Sequence, residues 1–97
     1  MKRFFVYIVA TRKDGPLYVG VTSHLQKRIY EHKSRAVRGF SKQFNIDRLV
    51  WFEQPETAEA AIIKEKQLKR WQRQWKKELI ERINPEWDDL YETLDPE

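Results

Sequence analysis

The sequence opens with two short runs of β-branched and aromatic residues, separated by a turn-forming segment. The runs are residues 4–10 and 17–21, and an Asp-Gly-Pro segment at residues 14–16 lies between them. This pattern predicts a β-hairpin. In an antiparallel pair of strands, the residue numbers of any two facing residues add up to the same total. If that total is odd, Tyr7 and Tyr18 lie on the same face of the sheet. Taken alone, two half-buried strand tyrosines are the ordinary interpretation.

A short helix is predicted directly after the hairpin. Ser23 is followed three residues later by a glutamine, the spacing of a capping box with Ser23 as the N-cap, and the helix continues to about residue 33. Arg28 and His32 are four residues apart and therefore lie side by side, close to the apolar stripe of this helix. A lone histidine in such a place is more often a core or surface residue than a catalyst.

A third strand and two further helices follow. The strand covers residues 48–52 and ends before Pro55. Thr57 caps a long basic helix that continues to about residue 70, where it breaks before a further helix that ends near residue 82. The predicted element order is therefore β-β-α-β-α-α.

A carboxylate interrupts the apolar stripe of the long basic helix. At about 100° per residue, Glu65 falls among the residues that should face the core. An ionised carboxylate in an apolar setting needs a cation or a metal ion as its partner, because its desolvation is costly. On helix geometry alone, a structural salt bridge is the more ordinary interpretation. The stripe consists of Ala58, Ala61, Leu68, Trp75 and Leu79, and the roughly opposite side carries Lys66, Arg70, Arg73 and Lys77.

Length and composition favour one small domain. A chain of 97 residues can bury a single core, and it contains no cysteine for a disulfide or a thiolate metal site. The lack of cysteine fits a reducing compartment, and we expect a cytoplasmic protein. No stretch of the sequence approaches the length of a membrane span, so no membrane partner is expected.

Charge is distributed unevenly along the chain. The net charge is +4, but residues 86–97 hold six acidic and no basic residues, so residues 1–85 carry 19 basic and 9 acidic residues, a net charge of +10. Such a cationic domain attracts polyanions, which makes nucleic acid the leading partner, although a solvated charged face is a common alternative. The candidate nucleic-acid contacts are Arg35, Arg38, Lys42, Lys66, Lys69, Arg70, Arg73 and Lys77.

The acidic segment 86–97 is expected to be a tail on a domain formed by residues 1–85. It contains Trp87, Leu90 and Tyr91, apolar residues that would allow it to dock on the domain. A tail that folds back over the DNA-binding face would compete with DNA, and truncation after Asn84 should then tighten DNA binding.

The residues around the two tyrosines resemble a known family. Residues 6–8, Val-Tyr-Ile, and residues 18–20, Tyr-Val-Gly, are similar to the two tripeptides that give the GIY-YIG nuclease superfamily its name. Arg28, His32 and Glu65 follow in the order and on the elements that the family uses. Nearly the whole chain resembles the short single-domain bacterial branch of that superfamily, the UPF0213 proteins.

The resemblance implies an α+β fold, with a small three-stranded antiparallel sheet flanked by helices. It also implies hydrolysis of DNA phosphodiester bonds, in DNA repair or processing, with one divalent ion, Mg²⁺ or Mn²⁺. Glu65 would be the metal ligand and Arg28 would bind the scissile phosphate. Tyr7 and Tyr18 would lie beside the attacking water, where a tyrosine is proposed as general base, with His32 assisting.

Three features differ from the family pattern or match it loosely. The first tripeptide is Val6-Tyr7-Ile8 and not the one that names the family, but its tyrosine is kept. Some relatives carry a lysine directly after the second tripeptide, where this chain has Val21. Any role of that lysine would pass to His32 or be absent. Asn84 is a loose match to an asparagine that often follows the family glutamate.

The identity of the general base stays open at this point. A phenol with a pKa near 10 needs about 4 kcal/mol of stabilisation from nearby positive charge to act as a base at pH 7. Arg28 and the metal could supply that charge; otherwise His32 is the better candidate.

Two other functions are also compatible with the sequence. One is a non-catalytic nucleic-acid-binding module on the same fold. The other is a small protein-interaction domain that uses Trp71, Trp75 and Trp87, which would then have to be exposed. The sequence leaves open which DNA sequence or structure is the target and whether the substrate is DNA or RNA. It also leaves open whether the protein is a monomer or a weak dimer, and whether a protein partner is needed for activity.

Overall fold

The computed structural model describes residues 3–34 and 46–95. Its elements follow the predicted order β-β-α-β-α-α, with a 3₁₀ helix near the C-terminus, and the three strands form an antiparallel sheet, which confirms the predicted fold. They are β1 (Phe5–Ala10), β2 (Leu17–Thr22), α1 (Leu25–Lys33), β3 (Arg48–Glu53), α2 (Ala58–Arg70), α3 (Arg73–Ile83) and the 3₁₀ helix Tyr91–Thr93. No helix in the described ranges is long and apolar enough to cross a membrane.

The sheet has the strand order β2-β1-β3, so β1 is central and all of its residues are buried. Tyr7 pairs with Gly20 and Val9 pairs with Tyr18. The residue numbers of both pairs add up to the same odd total, so Tyr7 and Tyr18 lie on the same face, as predicted.

Each face of the sheet carries a hydrophobic cluster. On the tyrosine face, Leu25 and Ile29 of α1 pack against β1. On the opposite face, Ala61 and Leu68 of α2 and Ile80 of α3 pack against the other side chains of β1. The sheet is therefore a layer between α1 on one side and the α2–α3 pair on the other.

The start of α1 differs from the prediction by one residue. His24, and not Ser23, is the N-cap, and it makes no side-chain cap hydrogen bond. The backbone N–H of His24 donates to Oγ1 of Thr22 over 3.0 Å, and its carbonyl accepts the first helical bond from Arg28. The assignment of Ser23 was wrong because Thr22, at the end of β2, stabilises this turn.

The predicted break between the two C-terminal helices is present, and it overturns one core prediction. Trp71 and Gln72 are extended, so α2 and α3 have independent helical phases. Trp75 consequently lies 49% exposed, with its ring 5.9 Å from that of Trp71. One continuous helical periodicity predicted that Trp75 faces the core, and this prediction was wrong. Leu79, from the same predicted stripe, is partly buried and does pack against the core.

The C-terminal segment packs into the domain. Trp87 is fully buried, and its indole N–H donates to Oε2 of Glu81 over 2.8 Å. The Asn84 amide donates to the carbonyls of Val50 and Asp88 and accepts from the N–H of Asp88. Asn84 therefore has a structural role, and a protein-interaction surface built on an exposed Trp87 is excluded.

Candidate active site

Tyr7 reaches from the central strand toward the free edge of the sheet. Its ring lies against Gly20 of β2, where a Cβ atom would be only 2.4 Å from the Tyr7 hydroxyl oxygen. Glycine is thus required for the hydroxyl to take this position. The catalytic candidates gather around this edge.

His32 links the two tyrosines. Only 2% of His32 is exposed, and its Nε2 is hydrogen-bonded to the Tyr7 hydroxyl over 3.1 Å. The ring centroids of Tyr7 and Tyr18 each lie 5.7 Å from that of His32. Helix α1 therefore places the His32 ring beside both tyrosine rings.

Burial sets the protonation of this pair. Burial, and then the positive charge of Arg28, lowers the pKa of His32 to about 4, so the imidazole is neutral at pH 7. Burial, reinforced by Tyr18, raises the pKa of the Tyr7 hydroxyl above its ordinary value, although Arg28 opposes this. The Tyr7 hydroxyl keeps its proton, and it donates to Nε2 when the imidazole carries its own proton on Nδ1.

Arg28 lies at the surface beside this buried pair. Its Nη1 is 3.4 Å from Oε1 of Glu31, one helical turn further along α1. Both side chains line an open, polar groove of about 290 Å³ that continues past Ser23 and Lys27. The guanidinium is therefore accessible to an anion while its charge still acts on Tyr7 and His32.

Glu65 approaches the same edge from α2. Its side chain is 16% exposed, and Oε2 forms an ion pair with Nζ of Lys69 over 3.0 Å. Its negative charge contributes to the raised pKa of Tyr7. The salt bridge expected for a half-buried carboxylate is present, and its partner is a lysine of the same helix.

Comparison with known proteins identifies the family. The model of the GIY-YIG catalytic domain matches residues 3–78. The chain belongs to the GIY-YIG family. This membership points to a nuclease-type function.

Two UPF0213 proteins are similar to this GIY-YIG chain in sequence. One from Staphylococcus saprophyticus is 34% identical over 80 residues, which cover 82% of this chain and 96% of the relative. One from Haloquadratum walsbyi is 32% identical over 77 residues, which cover 79% and 85%. These relatives place the chain in the UPF0213 branch, as the resemblance implied.

A solved structure shares the fold. The solution NMR structure of a UPF0213 protein from Bacillus halodurans aligns with a TM-score of 0.54 at 22% identity, covering 92% of this chain and 93% of that one. The agreement supports the sheet and helix arrangement that positions the candidate site.

The basic residues predicted to contact nucleic acid fall into three groups in this GIY-YIG domain. Lys66 and Arg70 are exposed on α2, as is Lys69, which pairs with Glu65. Arg73 instead donates to the carbonyls of Asp14 and Gly15 over 2.7 Å each, and Lys77 forms a 2.8 Å ion pair with Asp14. The last group, Arg35, Arg38 and Lys42, lies outside the described residues.

The contacts of Arg73 and Lys77 give both residues a structural role. They tie α3 to the turn of the β1–β2 hairpin, and the hydrogen bond from Lys77 lowers the pKa of Asp14. Their charge is already engaged within the domain, which weakens the expectation that they bind nucleic acid.

Glu65 offers a carboxylate ligand for a divalent ion in this GIY-YIG site. Within residues 3–34 and 46–95, no group of three or more His, Asp or Glu side chains is arranged to hold a metal. Mg²⁺ keeps most of its waters and takes one or two carboxylates together with substrate phosphates. Glu65 fits that requirement as a weak site that DNA would complete.

Two features of the site were missed in the sequence. Gly20 is in the second tripeptide, yet the space it leaves for Tyr7 was not foreseen, because the sequence did not determine which residue of β2 faces Tyr7. Glu31, three residues after Arg28, pairs with the predicted phosphate ligand. The spacing of three on a helix was the available signal.

Proposed function

We propose that this GIY-YIG protein hydrolyses DNA phosphodiester bonds at the β2 edge of its sheet. The observation that carries the proposal is the buried hydrogen bond between Tyr7 and His32, placed within the electrostatic reach of Arg28 and Glu65. A domain that only needed a stable core could place an apolar pair in this position, without desolvating a phenol and an imidazole.

Tyr7 and His32 together can move a proton. A raised pKa argues against a free tyrosinate at Tyr7, so the phenol should not act as a base alone. The neutral imidazole can instead accept the Tyr7 proton at Nε2 while the phenol oxygen takes a proton from an attacking water. A phosphate bound to Arg28 would offset the positive charge that, after burial, lowers the pKa of His32, and would so make the imidazole a better proton acceptor. This scheme uses both candidates for the general base in one relay, and Tyr18 orients the water beside them.

Arg28 is the phosphate ligand in this proposal. Its present partner Glu31 has a side-chain exposure of 32%, so a substrate phosphate can replace it without a fully buried charge being left unpaired. The guanidinium forms paired, charge-assisted hydrogen bonds with phosphate oxygens. These bonds strengthen as charge develops during hydrolysis.

Glu65 would hold the single divalent ion, Mg²⁺ or Mn²⁺. Such an ion stabilises the negative charge that develops on the phosphate. The exposed cations Lys66 and Arg70 would contact neighbouring phosphates of the strand. Each such contact adds about 0.9 to the log–log salt dependence of binding to duplex DNA.

Nicking of supercoiled plasmid tests the proposal. The wild type should nick DNA with Mg²⁺ or Mn²⁺ but not with EDTA, and Glu65→Gln should abolish this activity. Glu59→Gln is the matched control, because Glu59 lies exposed in the first turn of the same helix. Plasmid binding without nicking under either metal would favour a non-catalytic binding module instead.

A further inference from the structure

Lys69 contacts two residues of the candidate site. Its Nζ lies 3.0 Å from Oε2 of Glu65 and 5.8 Å from the ring centroid of Tyr18. The first contact is within α2, and the second joins α2 to β2. The ammonium group therefore lies between the carboxylate and one of the two tyrosines.

Both contacts favour this position of the ammonium. A carboxylate with a side-chain exposure of 16% has lost much of its water and needs a counter-charge. A lysine four residues after a glutamate is in the favourable helical orientation, and a cation within about 6 Å of an aromatic centroid is attracted by the ring. The Lys69 side chain is still 49% exposed, so it can leave.

A divalent ion on Glu65 would compete with this ammonium. Two cations at one carboxylate repel each other, and Oε2 is already engaged by Lys69. A displaced ammonium would still be tethered beside Tyr18, where the phosphate group enters the proposed site. A phosphate can then replace the carboxylate as its partner.

We propose that Lys69 is the internal counter-cation of Glu65, which a divalent ion displaces and which then binds a DNA phosphate. The inference rests on the proposed metal-binding role of Glu65. Displacement of the Lys69 ammonium from Glu65 costs free energy in the absence of DNA. A new ion pair between the ammonium and a DNA phosphate compensates for that cost. Metal and DNA therefore bind cooperatively, each raising the affinity for the other by the same factor.

The test is the Mn²⁺ affinity of the DNA-free protein, measured by titration calorimetry. Lys69→Met keeps the aliphatic stem and removes the charge, so it should lower the Kd for Mn²⁺ by about fivefold, the upper range for a partly exposed ion pair. Lys66→Met removes the same charge from an exposed neighbour on α2 and should change the Kd less than about twofold. Lys69→Arg retains the charge and should behave like the wild type.

The variants separate the inference from the proposed function. If Mn²⁺ binding is lost in Glu65→Gln but Lys69→Met binds no better than Lys66→Met, the inference is overturned and Glu65 remains the metal ligand. If neither the wild type nor Lys69→Met shows binding that depends on Glu65, the metal role of Glu65 fails, and the inference fails with it.

Thermal melting in EDTA provides a second readout that needs no metal. Lys69→Met should melt at a lower temperature than Lys66→Met, because it leaves the half-buried Glu65 carboxylate without its counter-charge. Equal melting temperatures would contradict the counter-cation role.

Discussion

Tyr7 and Gly20 face each other across β1 and β2 so closely that a Cβ on Gly20 would lie 2.4 Å from the Tyr7 hydroxyl oxygen. The tyrosine comes from the buried central strand and reaches His32 only because its neighbour has no side chain. Gly20 of the second tripeptide thus determines the position of Tyr7 of the first. The two tripeptides are therefore coupled by direct packing.

Gly20→Ala should therefore disable the site without unfolding the domain. The added methyl group would meet the Tyr7 hydroxyl, Cζ and Cε1 within 2.9 Å, so the ring must move and its bond to His32 must lengthen. Displacement of a catalytic group by about 1 Å can reduce turnover roughly a hundredfold, so we expect plasmid nicking to fall at least about tenfold.

Val19→Ala is the control for this prediction. Val19 is the preceding residue on the same strand and packs against the opposite face of the sheet. It should lower the melting temperature and leave nicking intact. Normal nicking by a folded Gly20→Ala protein would show that the position of the Tyr7 hydroxyl is not critical.

The two tyrosine hydroxyls should have separable effects. Tyr18→Phe removes the hydroxyl that orients the attacking water in the proposed site, so nicking should fall at least about tenfold. Tyr18 is only partly buried, so stability should be nearly unchanged. Tyr7→Phe also removes the buried hydrogen bond to His32, which should cost about 1–3 kcal/mol of unfolding free energy in addition. Nicking assays and urea denaturation of both variants measure the two effects. Near-normal nicking by Tyr18→Phe would exclude a role for its hydroxyl.

Local patterns predicted the parts of this fold that local interactions determine. Thr57 was placed correctly as an N-cap, since its hydroxyl accepts from the N–H of Ala60 within one turn. The shared face of Tyr7 and Tyr18 followed from strand parity alone.

Features that depend on contacts between residues far apart in the chain could not be predicted from the sequence. Arg73 donates to the carbonyls of Gly15 and Asp14 in the hairpin turn, which lie 58 and 59 residues earlier in the chain. No periodicity of the sequence encodes these contacts. Trp75 was misplaced because a two-residue interruption resets the helical phase. The candidate site was predictable through its resemblance to a family, whereas its protonation state depends on burial that only the fold reveals.

The buried His32 should make stability depend on pH. Its pKa is about 4 in the folded protein, below the ordinary 6.5, so between these values the unfolded state binds more protons. The unfolding free energy therefore falls as the pH drops from 6.5 toward 4, by up to about 3 kcal/mol from this residue. Urea denaturation at several pH values measures the slope.

Replacement of His32 itself provides the control. His32→Gln should flatten this pH dependence relative to the wild type. An identical slope in the variant would mean that His32 does not cause the pH dependence.

Trp87 should be a main contributor to stability, although it lies in the acidic segment. It is fully buried in the cluster that α2 and α3 share. Trp87→Ala should lower the unfolding free energy by about 3–5 kcal/mol through the cavity it leaves. Trp75→Ala removes an equal side chain from a 49% exposed site and should cost far less. Similar losses in urea denaturation would contradict the docked position of the segment.

This burial also changes what truncation can test. Removal of all residues after Asn84 would delete Trp87 and the bond from the N–H of Leu90 to the carbonyl of Leu49, so the shortened chain should unfold rather than bind DNA more tightly. The acidic segment already uses Asp89 to pair with Lys33 and to accept from the N–H of Leu49. Competition with DNA should be sought with Glu92→Gln, which removes an exposed charge and keeps the buried anchors. Tighter duplex binding by this variant at low salt, lost at high salt, would establish such competition, and unchanged binding would exclude it for this charge.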